Sequence, residues 1–173
     1  MSRALLSTFF VLTLLALTVG CAKQQPLAVG STAPTIELHD QHGELQSRES
    51  LSDGALLVYF YPKDSTPGCT AQACAFRDVW SRYEELGVGV VGVSRDDVES
   101  HVRFAEEHQL PFPLLADTEG ALAESFGLKA RLGMSPRVSF LLDDAGVIRA
   151  VYTDVDPGVH ADEVLADVER FGL

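Results

Sequence analysis

Apolar residues along this chain follow two rhythms. Apolar runs rich in β-branched and aromatic residues occupy 55–61 and 88–93, and largely apolar stretches interrupted by Ser139 and Arg149 occupy 138–142 and 147–152; each predicts a strand. Leu56-Leu57-Val58-Tyr59-Phe60 is apolar at every position, the pattern of a central strand covered on both faces. Between the runs, apolar residues return every three or four positions. Phe76, Val79, Trp80, Tyr83 and Leu86 form such a stripe, which predicts a helix over 71–86 ended by Gly87. Ser94-Arg95-Asp96-Asp97 starts a second helix, capped by Asp96 or Asp97, that runs to about residue 108. Residues 111–116 read as extended, 118–126 as a short helix closed by Gly127, and 129–136 as a loop without a strong pattern. Val164, Leu165 and Val168 predict a terminal amphipathic helix over 159–171. Near the start, alternation over 35–38 and 44–46 around Asp40-Gln41-His42-Gly43 predicts a small edge hairpin, and Ser52-Asp53-Gly54 a second turn. Asp143-Asp144-Ala145-Gly146 joins the last two strands in a hairpin.

A β-α-β unit followed by a β-β-α unit implies an α/β fold: a mixed sheet with helices on both faces. With 173 residues, 46% of them hydrophobic and 22% charged, the chain can build one domain with a core. Its formal net charge of −12 makes nucleic acid, whose phosphates would repel it, a poor partner.

The first twenty residues stand apart from this pattern. Arg3 supplies a positive start, and 5–19 is an apolar run of signal-peptide length, short for a membrane span. Leu17-Thr18-Val19-Gly20-Cys21 resembles a bacterial lipobox, although Thr18 stands where leucine is usual. This reading divides the chain into a lipoprotein signal peptide over 1–20, a lipidated N-terminus at Cys21 with a tether to residue 30, and a folded domain over 31–173. The mature protein would face the periplasm, held to a membrane by lipid on Cys21. Ala22 after that cysteine fits the outer membrane better than the inner. Ordinary secretory cleavage, leaving Cys21 free, is the main alternative.

The remaining chemistry concentrates between Tyr61 and Cys74, in Tyr61-Pro62-Lys63-Asp64-Ser65-Thr66-Pro67-Gly68-Cys69-Thr70-Ala71-Gln72-Ala73-Cys74. This is a strand-to-helix turn, where backbone N–H groups and the helix dipole favour negative charge. A cysteine there is placed to react as the thiolate, the nucleophilic form. Cys69 and Cys74 could form a static disulfide outside the cytoplasm. On an intact helix, however, Cα atoms five residues apart are roughly 8.6 Å distant, beyond the roughly 7 Å that a disulfide spans. Joining them requires the first helical turn to unwind, which suits a redox cycle better than a staple.

Pro62-x-x-x-Thr66-x-x-Cys69 resembles the peroxiredoxin signature, and the wording from Tyr61 to Thr70 resembles the bacterioferritin comigratory protein subfamily, also called peroxiredoxin Q. Val91-Gly92-Val93-Ser94, Leu110-Pro111-Phe112-Pro113-Leu114-Leu115-Ala116-Asp117 and Ser139-Phe140-Leu141-Leu142-Asp143 look like the same family. The resemblance covers nearly all of 27–173 and implies a thioredoxin-like fold with an added N-terminal hairpin. It implies a thiol peroxidase acting on hydrogen peroxide and organic hydroperoxides, without metal, flavin or haem. Cys69 then corresponds to the peroxidatic cysteine and Cys74 to the resolving one. Thr66 orients the peroxide, Pro62 shields the sulfur, and Arg137 stabilises charge on sulfur and on the departing oxygen. A thioredoxin-like thiol donor would reduce the resulting disulfide, and a monomer is expected because resolution occurs within one chain. Two departures stand out: Gln72 occupies a position where the subfamily commonly has glutamate, and the chain looks exported whereas relatives are usually cytosolic.

Other residues read more plainly. Phe76, Trp80 and Phe126 are expected in the core. His39 and His42 flank an exposed turn, while His101, His108 and His160 are isolated and show no ligand spacing. Asp96-Asp97 and Glu106-Glu107 read as solvated helix faces. Two rivals remain at this stage. A thiol–disulfide oxidoreductase would favour Cys-x-x-Cys over the present spacing. A non-catalytic exported lipoprotein on the same fold would not need Cys69.

Overall fold

The computed structural model describes residues 25–173. The expected signal segment and Cys21 lie outside the described residues. A two-stranded hairpin, β1 (Leu38–His39) and β2 (Leu45–Gln46), leads through the short helix α1 (Arg48–Leu51) to the central strand β3 (Leu56–Phe60). Helices α2 (Pro67–Asp78) and α3 (Trp80–Glu85) cross to β4 (Gly89–Ser94), then α4 (Val98–His108) crosses to β5 (Leu114–Ala116). Helix α5 (Ala121–Ser125), the hairpin β6 (Val138–Leu142) and β7 (Ile148–Tyr152), and α6 (His160–Phe171) complete the chain.

The main sheet has the order β5-β4-β3-β6-β7. β3 pairs parallel with β4 and antiparallel with β6, so the sheet is mixed. All five residues of β3 are buried, as its unbroken apolar run requires. Its side chains divide between two cores. Leu57 and Tyr59, with Tyr61 just beyond the strand, pack with Phe76 of α2, Phe104 of α4 and Val164, Leu165 and Val168 of α6. Leu56, Val58 and Phe60 face Leu122 of α5, Phe126, Phe140 and Ile36. Phe76 and Phe126 are buried as expected, whereas Trp80 is half-buried against Phe112.

Several boundaries differ from the sequence reading. The helix expected over 71–86 is two helices broken at Val79, where ψ is 16°. It also starts earlier, at Pro67, so Cys69 lies inside the first turn and not ahead of it. The apolar stripe conceals that start because the first turn is built from small and polar residues, while Pro at the first helical position marks it. Ser94 ends β4, and the cap of α4 is Asp97, whose side chain accepts from the Ser100 N–H at 2.8 Å. Within the patternless 129–136 stretch, Arg131 and Met134 pair across a tight turn, with φ of 52° at Leu132 and 77° at Gly133. Leu132 at its tip is 97% exposed.

Candidate active site

The site forms where β3 ends and α2 begins. Thr66 is the N-cap residue, but its hydroxyl donates to the Lys63 carbonyl at 3.0 Å and not to the helix. Pro67 has no N–H to satisfy, and the first helical bond runs from Thr70 N–H to the Thr66 carbonyl. The N–H groups of Gly68 and Cys69 therefore have no partner inside the helix. Together with the helix dipole they make the first turn receptive to an anion.

Arg137 arrives from the segment that enters β6, the strand beside β3. Phe60 pairs with Val138, so the antiparallel register delivers the residue before β6 to the end of β3. Arg137 Nη2 donates to Cys69 Sγ at 3.3 Å, and Nη1 donates to Gln72 Oε1. A Cβ on Gly68 would sit 3.2 Å from Arg137 Nη2, so the glycine leaves room for the guanidinium. Cys69 is 2% exposed, and its thiol is buried with it. It is thus shielded from bulk water while facing a cation and the helix N-terminus.

Gln72 is fully buried, and its Nε2 has no hydrogen-bond partner. As a neutral amide it fixes Arg137 without cancelling the guanidinium charge. Cys74 is half-buried further along α2, and both cysteines are free thiols. Arg77 donates to Asp78 Oδ1 and to the His108 carbonyl, and also borders Cys74. Pro62 is half-buried and lines an open depression of about 290 Å³ shared with Lys63, Arg95, Leu132 and Met134.

The turn itself is tied down by residues outside the expected set. Tyr61 OH donates to Asp64 Oδ1 at 2.7 Å, and Ser100 Oγ donates to Oδ2 at 2.8 Å. His101 Nδ1 lies 2.9 Å from the same Oδ2, and its Nε2 is 3.2 Å from the Leu115 carbonyl. Burial pushes the Asp64 carboxyl upward, but the bond and charge of His101, with the Tyr61 and Ser100 bonds, outweigh it and hold the carboxyl below its ordinary range. His101 is therefore not isolated, as its place in the sequence suggested. Nor is Asp96 a solvated helix-face group: its Oδ2 accepts from Asp64 N–H at 2.9 Å and Ser94 Oγ at 2.7 Å. The pairing of Asp64 with His101 spans 37 residues, and neither sequence nor spacing signals it.

His160 is also buried, with Nε2 2.9 Å from Ser139 Oγ and no hydrogen-bond partner for Nδ1. Burial, aided by the charge of Arg137, pushes its pKa down to about 4. Tyr59, stacked on Phe76 at 5.1 Å, is held neutral chiefly by burial, reinforced by Asp64 and Cys69. No group of three or more His, Cys, Asp or Glu among the described residues is placed to hold a metal.

A sulfur at a helix start, gripped by a guanidinium beside a thioredoxin-like sheet, is the construction of a thiol-based redox enzyme. Residues 29–151 match the AhpC/TSA family, and the chain belongs to that family. It is 42% identical over 146 residues to the putative peroxiredoxin bcp of Coxiella burnetii, covering 80% of this chain and 97% of that protein. It is 43% identical over 139 residues to the chloroplastic peroxiredoxin Q of Sedum lineare, covering 79% of this chain and 75% of the other. Among solved structures, peroxidoxin BcpB of Mycobacterium tuberculosis superposes with a TM-score of 0.77 at 35% identity, over 82% of this chain and 96% of that one. The bacterioferritin comigratory protein of Xanthomonas campestris, studied for alkyl peroxide reduction, gives 0.73 at 32% identity, over 79% and 92%. The chain is thus a peroxiredoxin of the bcp and Q kind, a thiol-dependent peroxidase, and the thioredoxin-like α/β fold expected from its sequence is the fold it has.

Proposed function

We propose that Cys69 is the peroxidatic residue and Cys74 the resolving one, acting on hydrogen peroxide and organic hydroperoxides. The reading rests above all on the 3.3 Å donation from Arg137 to a buried thiol in the first turn of α2. The Cys69 thiolate attacks the distal peroxide oxygen, the O–O bond breaks, and the S–O bond forms. Two electrons pass from sulfur to the peroxide, and with one proton taken up the products are Cys69 sulfenic acid and water or an alcohol. Arg137 and the free N–H groups of Gly68 and Cys69 oppose the charge that develops on the separating oxygens. Thr66 orients the peroxide and Pro62 limits access of water. The Cys74 thiol then condenses with the sulfenic acid, forming an S–S bond and releasing water. Two electrons and two protons from a thioredoxin-like dithiol donor restore both thiols.

The chain is exported, lipidated at Cys21 and monomeric in this proposal, with the lipid holding the domain at the periplasmic face of the outer membrane. The lipobox-like Leu17-Thr18-Val19-Gly20-Cys21 supports this, as does the placement of both site cysteines within one helix. The tether expected to reach residue 30 is shorter than that, because the Leu27 N–H donates to the Phe126 carbonyl at 3.0 Å and the Gly30 N–H to the Ile148 carbonyl at 2.8 Å, which fastens 27–30 to the domain.

Single-turnover and multiple-turnover peroxide assays test the cysteine roles. Cys69→Ser is expected to abolish peroxide consumption, and near-wild-type turnover would refute the assignment. Cys74→Ser is expected to consume one equivalent and then stall or over-oxidise with a thioredoxin-type donor. Unimpaired cycling would remove Cys74 from the mechanism.

A further inference from the structure

Ser65 has φ of 54°, an unfavourable conformation for a residue with a side chain, in the turn between β3 and α2. Asp64 immediately precedes it and is anchored twice. Its carboxylate is buried against Tyr61, Ser100 and His101, and its N–H donates to Asp96. A carboxylate and a carbonyl only accept, so both ring nitrogens of His101 face acceptors, one on the turn and one on β5. The side chains of Asp64 and His101 are 3% and 0% exposed, so water does not compete for these bonds. None of these groups bonds to Cys69. What they fix is the strained segment that leads into the first turn of α2.

That first turn has to unwind for Cys69 to meet Cys74, because an intact helix holds their Cα atoms roughly 8.6 Å apart. We propose that the Asp64–His101 pair is a positioning latch that clamps the β3–α2 turn onto α4 and sets how readily the first turn of α2 releases Cys69. The proposal rests on the reading of Cys69 as peroxidatic and Cys74 as resolving. A wound first turn serves peroxide attack, and an unwound one serves disulfide formation. Where the wound state dominates, weakening the latch barely depletes it but multiplies the minor unwound population. Condensation therefore accelerates while peroxide attack stays nearly constant. A residue that merely supports the fold would not raise a rate when removed.

Stopped-flow reaction of the purified full chain with hydrogen peroxide separates the two steps. Trp80, the single tryptophan, lies just beyond α2 and provides the fluorescence signal. Quenching with a thiol alkylating agent, followed by mass spectrometry, identifies each species. One phase depends on peroxide concentration, and a second, independent of it, reports disulfide formation. His101→Gln keeps a donor in place of Nε2 for Leu115 but loses the one to Asp64. Its second phase is expected to quicken roughly tenfold to a hundredfold, as loss of a hydrogen bond to a charged group implies, with the first changed by less than about twofold. His101→Asn restores a donor in place of Nδ1 and is expected to bring the second phase back towards wild type. Ser100→Ala, a milder loosening of the same carboxylate, gives a smaller acceleration and decides the question if His101→Gln does not fold. The latch is overturned if wild type shows both phases and these loosened variants leave the second unchanged or slow it. It is also overturned if His101→Asn behaves like His101→Gln. A wild-type chain lacking either phase overturns the cysteine assignment itself, and the latch with it.

Discussion

Arg137 divides its guanidinium between the buried Cys69 sulfur and the neutral amide of Gln72. The fork geometry matters because two separate targets must be met at once, which a lysine ammonium on a flexible stem does poorly. Arg137→Lys is expected to lower kcat/KM for peroxide by about a hundredfold, in the range seen on removing a preorganised donor to developing charge. Steady-state kinetics under saturating reductant measure it, and a change of less than about threefold would contradict a direct role for the guanidinium. His160 permits a second expectation at this scale. Its side chain is fully buried, packed on Phe76 and Tyr152, with Glu163 Oε2 3.6 Å from Nδ1 and Arg137 opposing its protonation. The unfolded chain takes up this proton near pH 6.5, the folded chain only near pH 4. Between those values the unfolded state binds more protons, so stability falls as pH drops, by on the order of 3 kcal/mol from this group. Urea unfolding at pH 7 and pH 4.5 measures the loss, and His160→Gln should show a smaller one. Neither the pairing of His101 nor the burial of His160 was legible in the sequence. Histidine carries no periodic signature, and both environments are assembled by residues distant in the chain.

Helix α2 joins core to chemistry. Phe76 is fully buried and meets Tyr59, Tyr83, Phe112 and His160 through ring contacts. Phe76→Ala is expected to destabilise the domain by about 3–5 kcal/mol, the usual range for emptying such a site. Denaturant unfolding checks it, and a loss below about 1 kcal/mol would mean that the aromatic cluster does not anchor the helix. The body of this helix was evident from its apolar spacing, but its two ends were not. Its start depends on Thr66 and Pro67, which carry no hydrophobic signal, and the break at Val79 interrupts an apolar stripe that itself continues. Both hairpins were legible because turn chemistry flanked by extended residues is a local property.

For the whole molecule, the active centre depends on topology. Cys69 and Arg137 are 68 residues apart and meet because β6 runs antiparallel beside β3. The proposed placement of the enzyme at a membrane rests instead on the N-terminal sequence, through a lipid on Cys21. Mass spectrometry of membrane-extracted protein should find a mature N-terminus at Cys21 carrying acyl chains, and an unmodified terminus at another residue would remove the lipoprotein assignment. The strands of the main sheet, the α/β order, the strand-to-helix turn and the acidic balance were determined by the sequence alone, since each follows from local periodicity, turn chemistry or composition. The short helix α1 and the division of the 71–86 stretch into α2 and α3 were not. Tertiary structure alone decided the burial of Cys69, the grip of Arg137 between sulfur and Gln72, and the tie from Asp64 to His101. Those features need strand register and helix packing to join groups far apart in the chain, and no local pattern encodes such meetings.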